Sequence, residues 1–566
     1  MTLIGWLQAA LVFGLVCAVM VPLGAYMYRV FEGERTWLSP VLVPVEKAVY
    51  AICRIDPDRE MSWKTYAFAF MAFHVIGFAW LYFLLAAGQQ YLPWNPQHFP
   101  NMAPDLAFNT AVSFLTNTNW QFYSGESTMS YLSQMAGLAW HNFVSAAAGI
   151  AVVIALIRGI VRTDKSTLGN FWKDLVRCNL YILLPISFVG ALLLLWQGVP
   201  QNFNSYTNTI SIEGAKISIP QGPMASQEII KELGTNGGGF VNANSAATFE
   251  NPTTFSNLLE LVAIFLIPVA LTFTFGRYAK NQRQGWAIFA AMTILFVAGF
   301  ATCYYFQAQP NPLMAAKGVA LNMEGIETRF GIPASTLWAT MTTDTSCGAV
   351  NAMHDSFNPI AGLVPMVNIQ SGEVIFGGVG AGLYGMLLFV ILTVFIAGLM
   401  VGRTPEYLGK KIEGTQVKLA MLGALVFAVF PLIPAAIAVV LPAGLNAMNN
   451  AGPHGFSEIL YMTTSWTGNN GSAFAGVGSN QFTNLLGGVV MFAGRFAEII
   501  PVFALAGSLA GKRAVPFSAG TFKTTTPLFV ALLIGVVVLV GLLTFLPADA
   551  LGPIVEHLLM NSGKTY

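Results

Sequence analysis

The sequence predicts an all-α polytopic membrane protein with ten transmembrane helices, and three observations predict this class. Charged residues make up 9% of the 566 residues, against about 25% in soluble domains. Hydrophobic residues make up 55%, and the mean hydropathy is +0.62. So few charges cannot cover a soluble surface, so most of the surface must face lipid. Ten apolar stretches are also long enough to cross a bilayer, which takes about 20 residues. These stretches are Ile4–Met27, Thr65–Ala87, Tyr131–Ile157, Leu180–Trp196, Leu258–Phe275, Trp286–Phe306, Val374–Val401, Leu419–Leu441, Leu485–Ala510 and Pro527–Leu546.

The same composition excludes several other classes. It does not fit a cytosolic enzyme, a secreted disulfide scaffold or a disordered chain. The formal net charge of +1 gives no reason to expect a nucleic-acid partner. The five cysteines are scattered and form no C-x-x-C motif, so neither a disulfide framework nor a zinc site is indicated.

The basic residues predict the orientation of the chain. Of the 27 lysines and arginines, 21 fall in connections on one side of the predicted helices and four on the other. Because basic connections stay in the cytoplasm, the first side is cytoplasmic. Both termini then face the extracytoplasmic side. The cytoplasmic connections are short, which leaves no room in them for a nucleotide-binding domain.

Four of the extracytoplasmic connections share an unusual pattern. Each contains a short apolar run that cannot span the membrane and is followed by a cluster of small polar residues, which predicts a re-entrant segment. The apolar runs are Ala107–Leu115, Ser226–Leu233, Ala334–Met341 and Phe456–Met462. The clusters, called polar segments one to four below, are Thr116–Gln121, Gly234–Gly239, Thr342–Gly348 and Thr463–Gly471.

The four polar segments recur at near-regular spacing. When they are aligned on Asn119, Gly237, Gly348 and Gly471, the intervals are 118, 111 and 123 residues, which indicates an internal repeat. The unit is one transmembrane helix, a re-entrant helix, a polar segment and a second transmembrane helix. We expect four such units with pseudo-fourfold symmetry and one extra helix at each end. The predicted divisions are 1–64 (first helix and cytoplasmic loop), 65–177, 178–284, 285–418 and 419–515 (repeats one to four), and 516–566 (last helix and tail).

The chemistry of the polar segments favours a monovalent cation. Backbone carbonyls that point at a common axis replace the hydration shell of an ion such as potassium, and glycine allows the backbone angles that this needs. Small Thr, Ser and Asn side chains add oxygens without blocking the axis. No ring of carboxylates is present, since Asp344 and Glu126 are singletons, which argues against a divalent-cation filter. One such cluster alone is usually a turn, but four after short helices on one side predict a cation pore.

Several long stretches resemble a known family along essentially the whole chain. They are TNTNWQFYSGE at Thr116–Glu126, GTNGGGFVNANSA at Gly234–Ala246, CGAVNAMHD at Cys347–Asp355, GEVIFGGVGAGLYGML at Gly372–Leu387, VGRTPEYLGKK at Val401–Lys411 and NNGSAFAG at Asn469–Gly476. The chain resembles the channel-like, potassium-binding component, KdpA, of the Kdp-type potassium-transporting P-type ATPases. The resemblance implies four membrane-pore-membrane repeats of potassium-channel type, related also to the Trk and Ktr transporters.

The resemblance also implies site residues and partners. It implies a catalytic P-type ATPase partner, KdpB, that hydrolyses ATP, the small partners KdpC and KdpF, a bacterial inner-membrane location and potassium as the transported substrate, with no cofactor and no catalytic site in this chain. The chain has neither a D-K-T-G motif nor a G-x-x-x-x-G-K-[ST] motif, so ATP-driven transport would need another chain. The implied filter consists of four triplets: Asn117, Thr118 and Asn119; Thr235, Asn236 and Gly237; Ser346, Cys347 and Gly348; Asn469, Asn470 and Gly471.

Other residues have more than one interpretation. Gln121 is either a surface amide or part of the pore mouth. Arg495 forms either a local ion pair with Glu498 or a barrier below the filter, with Glu373 as a partner along the path. The glycine-rich stretch either packs helices tightly or forms a break that gates the path, an interpretation that the resemblance favours. Its gate candidates are Gly377, Gly378, Gly380 and Gly382.

Three functions remain open from the sequence. The first is a subunit that binds extracytoplasmic potassium and passes it into an ATP-driven import complex. The second is a stand-alone potassium channel or a Trk/Ktr-like cation transporter with the same pore. The third is a membrane-embedded enzyme with a lipid-soluble substrate, for which the sequence offers no convergent acid–base or metal cluster.

Overall fold

The structure is a computed structural model that describes residues 1–163, 165–400, 402–515 and 521–564. Most of these residues lie in helices. Val401, the last residue of the seventh predicted helix, lies outside the described residues. Residues 516–520, the first residues of the predicted last division, also lie outside them. The last two residues of that division, 565–566, also lie outside them.

Ten helices in the described ranges are long and apolar enough to cross a membrane, as the sequence predicts. Most extend beyond the predicted ends, because polar caps and amphipathic turns continue the helices past their apolar centres. They are Leu3–Glu32, Trp63–Gly88, Ser133–Val161, Phe171–Trp196, Thr254–Tyr278, Gln282–Ala315, Ala381–Met400, Gly414–Ala438, Gln481–Ala510 and Pro527–Asn561.

The start of the seventh transmembrane helix was predicted wrongly. The helix begins at Ala381, and not at Val374. A separate helix, Pro359–Gln370, precedes it, and a non-helical stretch, residues 371–380, joins the two. Glu373 and Phe376 have φ of 50° and 63°, and these left-handed conformations cannot continue a right-handed helix. The apolar composition of the stretch therefore reflects burial and not helix.

The four re-entrant helices are Pro104–Leu115, Met224–Leu233, Gly331–Asp344 and Gly452–Gly468. The third and fourth run further than predicted, into the polar segments. Threonine hydroxyls in these turns bond back to the preceding helical turn, as Thr343 Oγ1 does to the Ala339 carbonyl at 2.6 Å, so the polar residues remain compatible with helix. Because each re-entrant helix follows an even-numbered transmembrane helix, all four lie on the same side of the membrane.

Burial separates the transmembrane helices into an inner and an outer set. In the third, fifth, seventh and ninth helices, 94%, 78%, 78% and 61% of the most apolar window is buried. In the other six helices the share is between 22% and 39%. Each repeat therefore contributes one outer and one inner helix, and the second, third and fourth re-entrant helices pack against the outer helix of their own repeat.

The remaining described elements are short. Two antiparallel hairpins pair Thr207–Ile210 with Lys216–Ile219, in the register Thr207 to Ile219, and Glu406–Tyr407 with Lys410–Lys411. The remaining helices are Ser39–Ile52, Gly125–Thr128, Asn244–Ala246, His354–Ser356 and Pro442–Leu445. Pro312–Ala315 and Val555–Asn561 form the last turns of the sixth and tenth transmembrane segments.

His454 ties the fourth re-entrant helix to two other elements. Its Nδ1 bonds Glu556 Oε1 in the C-terminal helix and its Nε2 bonds Asp355 Oδ1, both at 2.9 Å. Burial alone would lower the pKa of His454, but the hydrogen bonds and charges of the two carboxylates raise it from 6.5 to about 10. The imidazolium is therefore the form that holds these elements together at neutral pH.

This raised pKa predicts how stability depends on pH. A group whose pKa is higher in the folded state stabilises fully below its unfolded pKa, and this contribution is lost as pH rises through the folded pKa. We expect the difference in melting temperature between the wild type and His454→Gln to be largest near pH 6 and to shrink towards pH 10. Thermal unfolding of the purified protein across this range measures the difference. A difference that stays constant with pH would contradict the charged bridge.

Candidate functional site

The four triplets repeat one backbone conformation. Their first residues all have left-handed backbone, although L side chains rarely adopt it. The φ values are 68° for Asn117, 46° for Thr235, 53° for Ser346 and 57° for Asn469. Residues of three types share this conformation at equivalent positions, so the fold repeats the path of the backbone and not the identity of the side chain. Positive φ recurs at the third position in Asn119, Gly237 and Gly471.

Equivalent hydrogen bonds recur in all four repeats, between residues at the same sequence separations. One residue near the end of each re-entrant helix accepts, at its backbone carbonyl, the N–H of the middle triplet residue five positions later. The pairs are Thr118 to Ser113 at 2.9 Å, Asn236 to Lys231 at 2.8 Å, Cys347 to Thr342 at 2.9 Å and Asn470 to Ser465 at 3.0 Å. The side chain of the same helical residue donates to the carbonyl seven positions later. These bonds are Ser113 to Trp120 at 2.9 Å, Lys231 to Gly238 at 2.7 Å, Thr342 to Ala349 at 2.7 Å and Ser465 to Ser472 at 2.9 Å.

The segments also bond to each other in cyclic order. Between the first and second, Asn117 Nδ2 donates to the Thr235 carbonyl at 3.0 Å, and the amides of Asn117 and Asn236 are bonded. Between the second and third, the Gly348 N–H donates to the Asn236 carbonyl at 3.2 Å. Three of the four segments are therefore joined side by side.

Two further contacts close the ring. Ser346 Oγ donates to the Asn469 carbonyl at 3.1 Å, which joins the third segment to the fourth. Asn469 Nδ2 donates to Thr118 Oγ1 at 2.9 Å, which joins the fourth to the first. Residues that are far apart in the sequence thus meet, and the four triplets form one closed ring.

Glycine is required where the segments approach most closely. A β-carbon added to Gly471 would lie 1.6 Å from the Thr118 carbonyl oxygen, and one added to Gly237 would lie 2.2 Å from the Gly348 nitrogen. Both positions also have positive φ. Neighbouring backbones therefore contact each other directly at these points, which leaves no space for a side chain.

The ring presents neutral oxygen chemistry. None of the triplet residues carries a formal charge, and their side chains are buried. Each triplet follows the C-terminus of a re-entrant helix, the end that carries partial negative charge. Neutral carbonyl, hydroxyl and amide oxygens with four such helix ends suit a monovalent cation. Several of these oxygens also accept hydrogen bonds within the protein. Besides the acceptors described above, the Cys347 carbonyl accepts from Thr342 Oγ1 and Asn117 Oδ1 accepts from Ser145 Oγ.

Two buried carboxylates adjoin the ring. Neither carboxylate oxygen of Asp344, at the end of the third re-entrant helix, has a hydrogen-bond partner, and neither does Glu373 Oε1. A β-carbon added to Gly468, at the end of the fourth re-entrant helix, would lie 3.2 Å from Glu373 Oε1. Glu373 lies in the non-helical stretch 371–380 between two helices. It does not lie at the start of a transmembrane helix, where the sequence predicts it.

The glycine-rich stretch packs directly against the ring. The Gly377 N–H donates to the Asp344 carbonyl at 3.0 Å, and the Val379 N–H donates to Thr235 Oγ1 at 2.9 Å. Gly377, Gly378 and Gly380 are non-helical, whereas Gly382 lies in the first turn of the seventh transmembrane helix. The stretch is broken, as the resemblance implies, and its role as a gate stays a prediction.

Gln121 and Arg495 lie outside the ring. The Gln121 side chain is half-buried and makes two hydrogen bonds with the Gly239 backbone, at 2.9 and 3.0 Å, so it joins polar segments one and two. Arg495 is buried in the ninth transmembrane helix. Arg495 and Glu498, both described residues, make no direct ion pair within 4.0 Å, and the role of Arg495 as a barrier stays a prediction.

Comparison with known proteins identifies the family. Residues 10–558 match the family described as potassium-transporting ATPase A subunit. A protein from Bradyrhizobium diazoefficiens, named potassium-transporting ATPase potassium-binding subunit, is 57% identical, and the alignment covers 100% of both chains. A protein of the same name from Solibacter usitatus is 56% identical with the same coverage. The chain belongs to this family.

One solved structure shows the same fold as this family member. The crystal structure of the potassium transporter TrkH from Vibrio parahaemolyticus superposes with a TM-score of 0.51 over 88% of this chain and 96% of that chain. The sequences are only 13% identical, so this likeness concerns the fold alone. It agrees with the four membrane-pore-membrane repeats that the sequence predicts.

Sequence reasoning missed the residues that support the ring. The supporting role of Ser113, Thr342 and Ser465 was not predicted, although Thr342 and Ser465 lie in polar segments three and four, because one hydroxyl residue in a helix carries no local signal. The signal was present in the alignment of the repeats, where these positions fall in one column with Lys231. Ser145 was also missed, because it lies inside a long apolar helix.

The close approach at Gly471 predicts a large effect of a small change. Gly471→Ala would force the first and fourth segments apart, so we expect potassium affinity to fall more than about tenfold, equivalent to about 1.4 kcal/mol. The matched control is Gly541→Ala in the tenth transmembrane helix, where an added β-carbon meets no atom within 4 Å. Equilibrium binding of potassium to both purified variants measures the effect. Equal affinities would contradict the placement of Gly471 in the ring.

Gly378 offers a separate test of the broken stretch. Its φ is not left-handed, and an added β-carbon would lie 3.1 Å from Ser346 Cβ and 3.4 Å from Thr235 Oγ1, so alanine crowds the space between this stretch and the ring without straining the backbone. We expect Gly378→Ala to reduce the maximal potassium flux more than it weakens binding. An unaltered flux would exclude the gate.

Proposed function

We propose that this chain binds extracytoplasmic potassium at the four triplets and passes it into an ATP-driven import complex. The observation that carries the proposal is the closed ring of four uncharged triplets with a repeated backbone path. Such a ring replaces the hydration of a potassium ion with neutral oxygens from four sides. The names of the relatives, which describe them as potassium-binding subunits, support the same ion.

The path beyond the ring is proposed to pass the non-helical stretch. Asp344 and Glu373 lie beside the ring with unpartnered oxygens, and buried carboxylates attract a cation that leaves it. Arg495 is buried in an inner helix, and a β-carbon added to Gly149 would lie 3.2 Å from its guanidinium. A fixed positive charge there would repel the ion and direct it sideways, towards a neighbouring chain of the complex.

ATP hydrolysis is proposed to occur in a partner chain. The relatives are named as subunits of an ATPase, and this sequence lacks both nucleotide-site motifs considered above. The partners proposed are the catalytic P-type ATPase KdpB and the small proteins KdpC and KdpF. The proposed location is the bacterial inner membrane, whose lipids the chain contacts. The excess of basic residues in one set of connections supports an extracytoplasmic position for both termini.

Reconstitution tests the proposal against a stand-alone channel or cation transporter. We expect liposomes containing the complete complex to accumulate rubidium only with ATP, and liposomes containing this chain alone to show no voltage-driven flux. The complex with Gly471→Ala should lose rubidium uptake at low concentration, whereas Gly541→Ala should retain it. Voltage-driven rubidium flux through the chain alone would contradict the ATP-coupled function and support the channel.

Selectivity tests the identity of the ion. Potassium and rubidium should compete for the same site in the purified complex, and sodium should compete far more weakly, because carbonyl rings favour the larger ions. Equal competition by sodium would contradict a potassium filter.

A further inference from the structure

The second repeat departs from the other three at one position. Where three repeats use a serine or threonine hydroxyl to hold the carbonyl after the triplet, the second uses the ammonium of Lys231, which donates to the Gly238 carbonyl at 2.7 Å. The Lys231 side chain is fully buried. A positive charge beside a cation-binding ring is unfavourable unless anions compensate it.

Three glutamates surround this ammonium. Lys231 Nζ lies 2.9 Å from Glu228 Oε2, 3.0 Å from Glu250 Oε2 and 3.5 Å from Glu232 Oε1. All three side chains are at most 1% exposed. Glu250 Oε1 also accepts from the Val241 N–H at 2.6 Å. One ammonium neutralises only one carboxylate. The three glutamates therefore offer more negative charge, when ionised, than Lys231 balances.

A fourth glutamate adds another buried carboxyl group to the cluster. Glu260, in the fifth transmembrane helix, is fully buried, and neither of its carboxylate oxygens has a hydrogen-bond partner. Its ligand oxygen lies within 4.8 Å of those of Glu228 and Glu232. Four carboxylates thus face one ammonium. A buried ionised carboxylate without a partner is very unfavourable, so either a bound cation or bound protons must balance the cluster.

We propose that Glu228, Glu232 and Glu260 bind one divalent cation of the calcium or magnesium class. Carboxylate oxygens are the ligands that these ions prefer, and three of them converge within a distance that one ion spans. Potassium is a poorer match, because its sites use neutral oxygens. Ser245 Oγ lies in the same cluster, 2.9 Å from Glu228 Oε1 and 3.3 Å from Glu232 Oε1, so its one hydroxyl proton donates to either carboxylate.

The position of the site gives it a structural role beside the ring. Glu232 Oε2 accepts from Cys347 Sγ, in the third triplet, at 3.5 Å, and Glu228 holds Lys231, which holds Gly238 after the second triplet. The ion would therefore stabilise polar segments two and three from behind. It is distinct from the transported ion, because none of its three ligands belongs to a triplet.

Metal analysis of the complete complex tests the site. The complex is purified without nucleotide in potassium buffer, supplied with calcium or magnesium and dialysed, and its metal content is measured by mass spectrometry. We expect the wild type to hold about one divalent ion more than Glu260→Gln. The matched control is Glu126→Gln, which removes a carboxylate in the same set of connections, where Glu126 Oε2 bonds the Asn242 N–H. This variant should retain the wild-type metal content.

Thermal stability gives a second readout that does not depend on transport. We expect a strong chelator to lower the melting temperature of the wild type and to leave that of Glu260→Gln unchanged, and added calcium or magnesium to restore the wild type. Equal metal content in the wild type and Glu260→Gln would overturn the proposal. The proposal would also be overturned if the chelator did not change the melting temperature of the wild type and Glu260→Gln were at least as stable as the wild type. That result would show that protons neutralise the cluster.

Discussion

The structure depends on one constraint, which is that irregular backbone buried within a membrane protein must find a partner for every polar group. The chain leaves helical geometry immediately after each re-entrant helix, where water is scarce. It meets the constraint by directing amides back to the end of that helix and across to the neighbouring segment. In the proposed function, the oxygens that keep a free lone pair after these hydrogen bonds are made are the groups that bind the ion. The hydrogen bonds that support the backbone therefore also determine which oxygens face the site.

Pseudo-fourfold symmetry follows from this solution, and the departures from it are informative. Left-handed backbone at Asn117, Thr235, Ser346 and Asn469 recurs because the same carbonyl path is needed four times. The side chains that support this path differ, since an asymmetric chain has different neighbours in each repeat. The ammonium of Lys231 is the largest departure, and it brings a buried acidic cluster with it. Duplicated geometry with divergent support suits a protein that passes its ion to one side.

The sequence predicted the architecture well because its signals are physically strong. Long apolar runs and four recurring polar clusters report directly on the bilayer and on the repeat, whereas the orientation that the basic residues predict stays a prediction. It failed where apolar composition has two explanations, as at Val374, which is as buried as a residue in an inner transmembrane helix. It also missed supporting residues such as Ser113 and Glu260, whose roles arise only from contacts between distant segments. Nothing in one sequence reveals that Asn469 meets Thr118.

The central claim is that four unlike segments hold one ion together. The most direct test is a structure of the complex in a saturating rubidium salt, with the ion located by its anomalous scattering. The account predicts an ordered ion inside the ring, with oxygens from all four triplets within coordinating distance. No ordered ion in the ring, or an ion held by one segment while the other three stand apart, would contradict it.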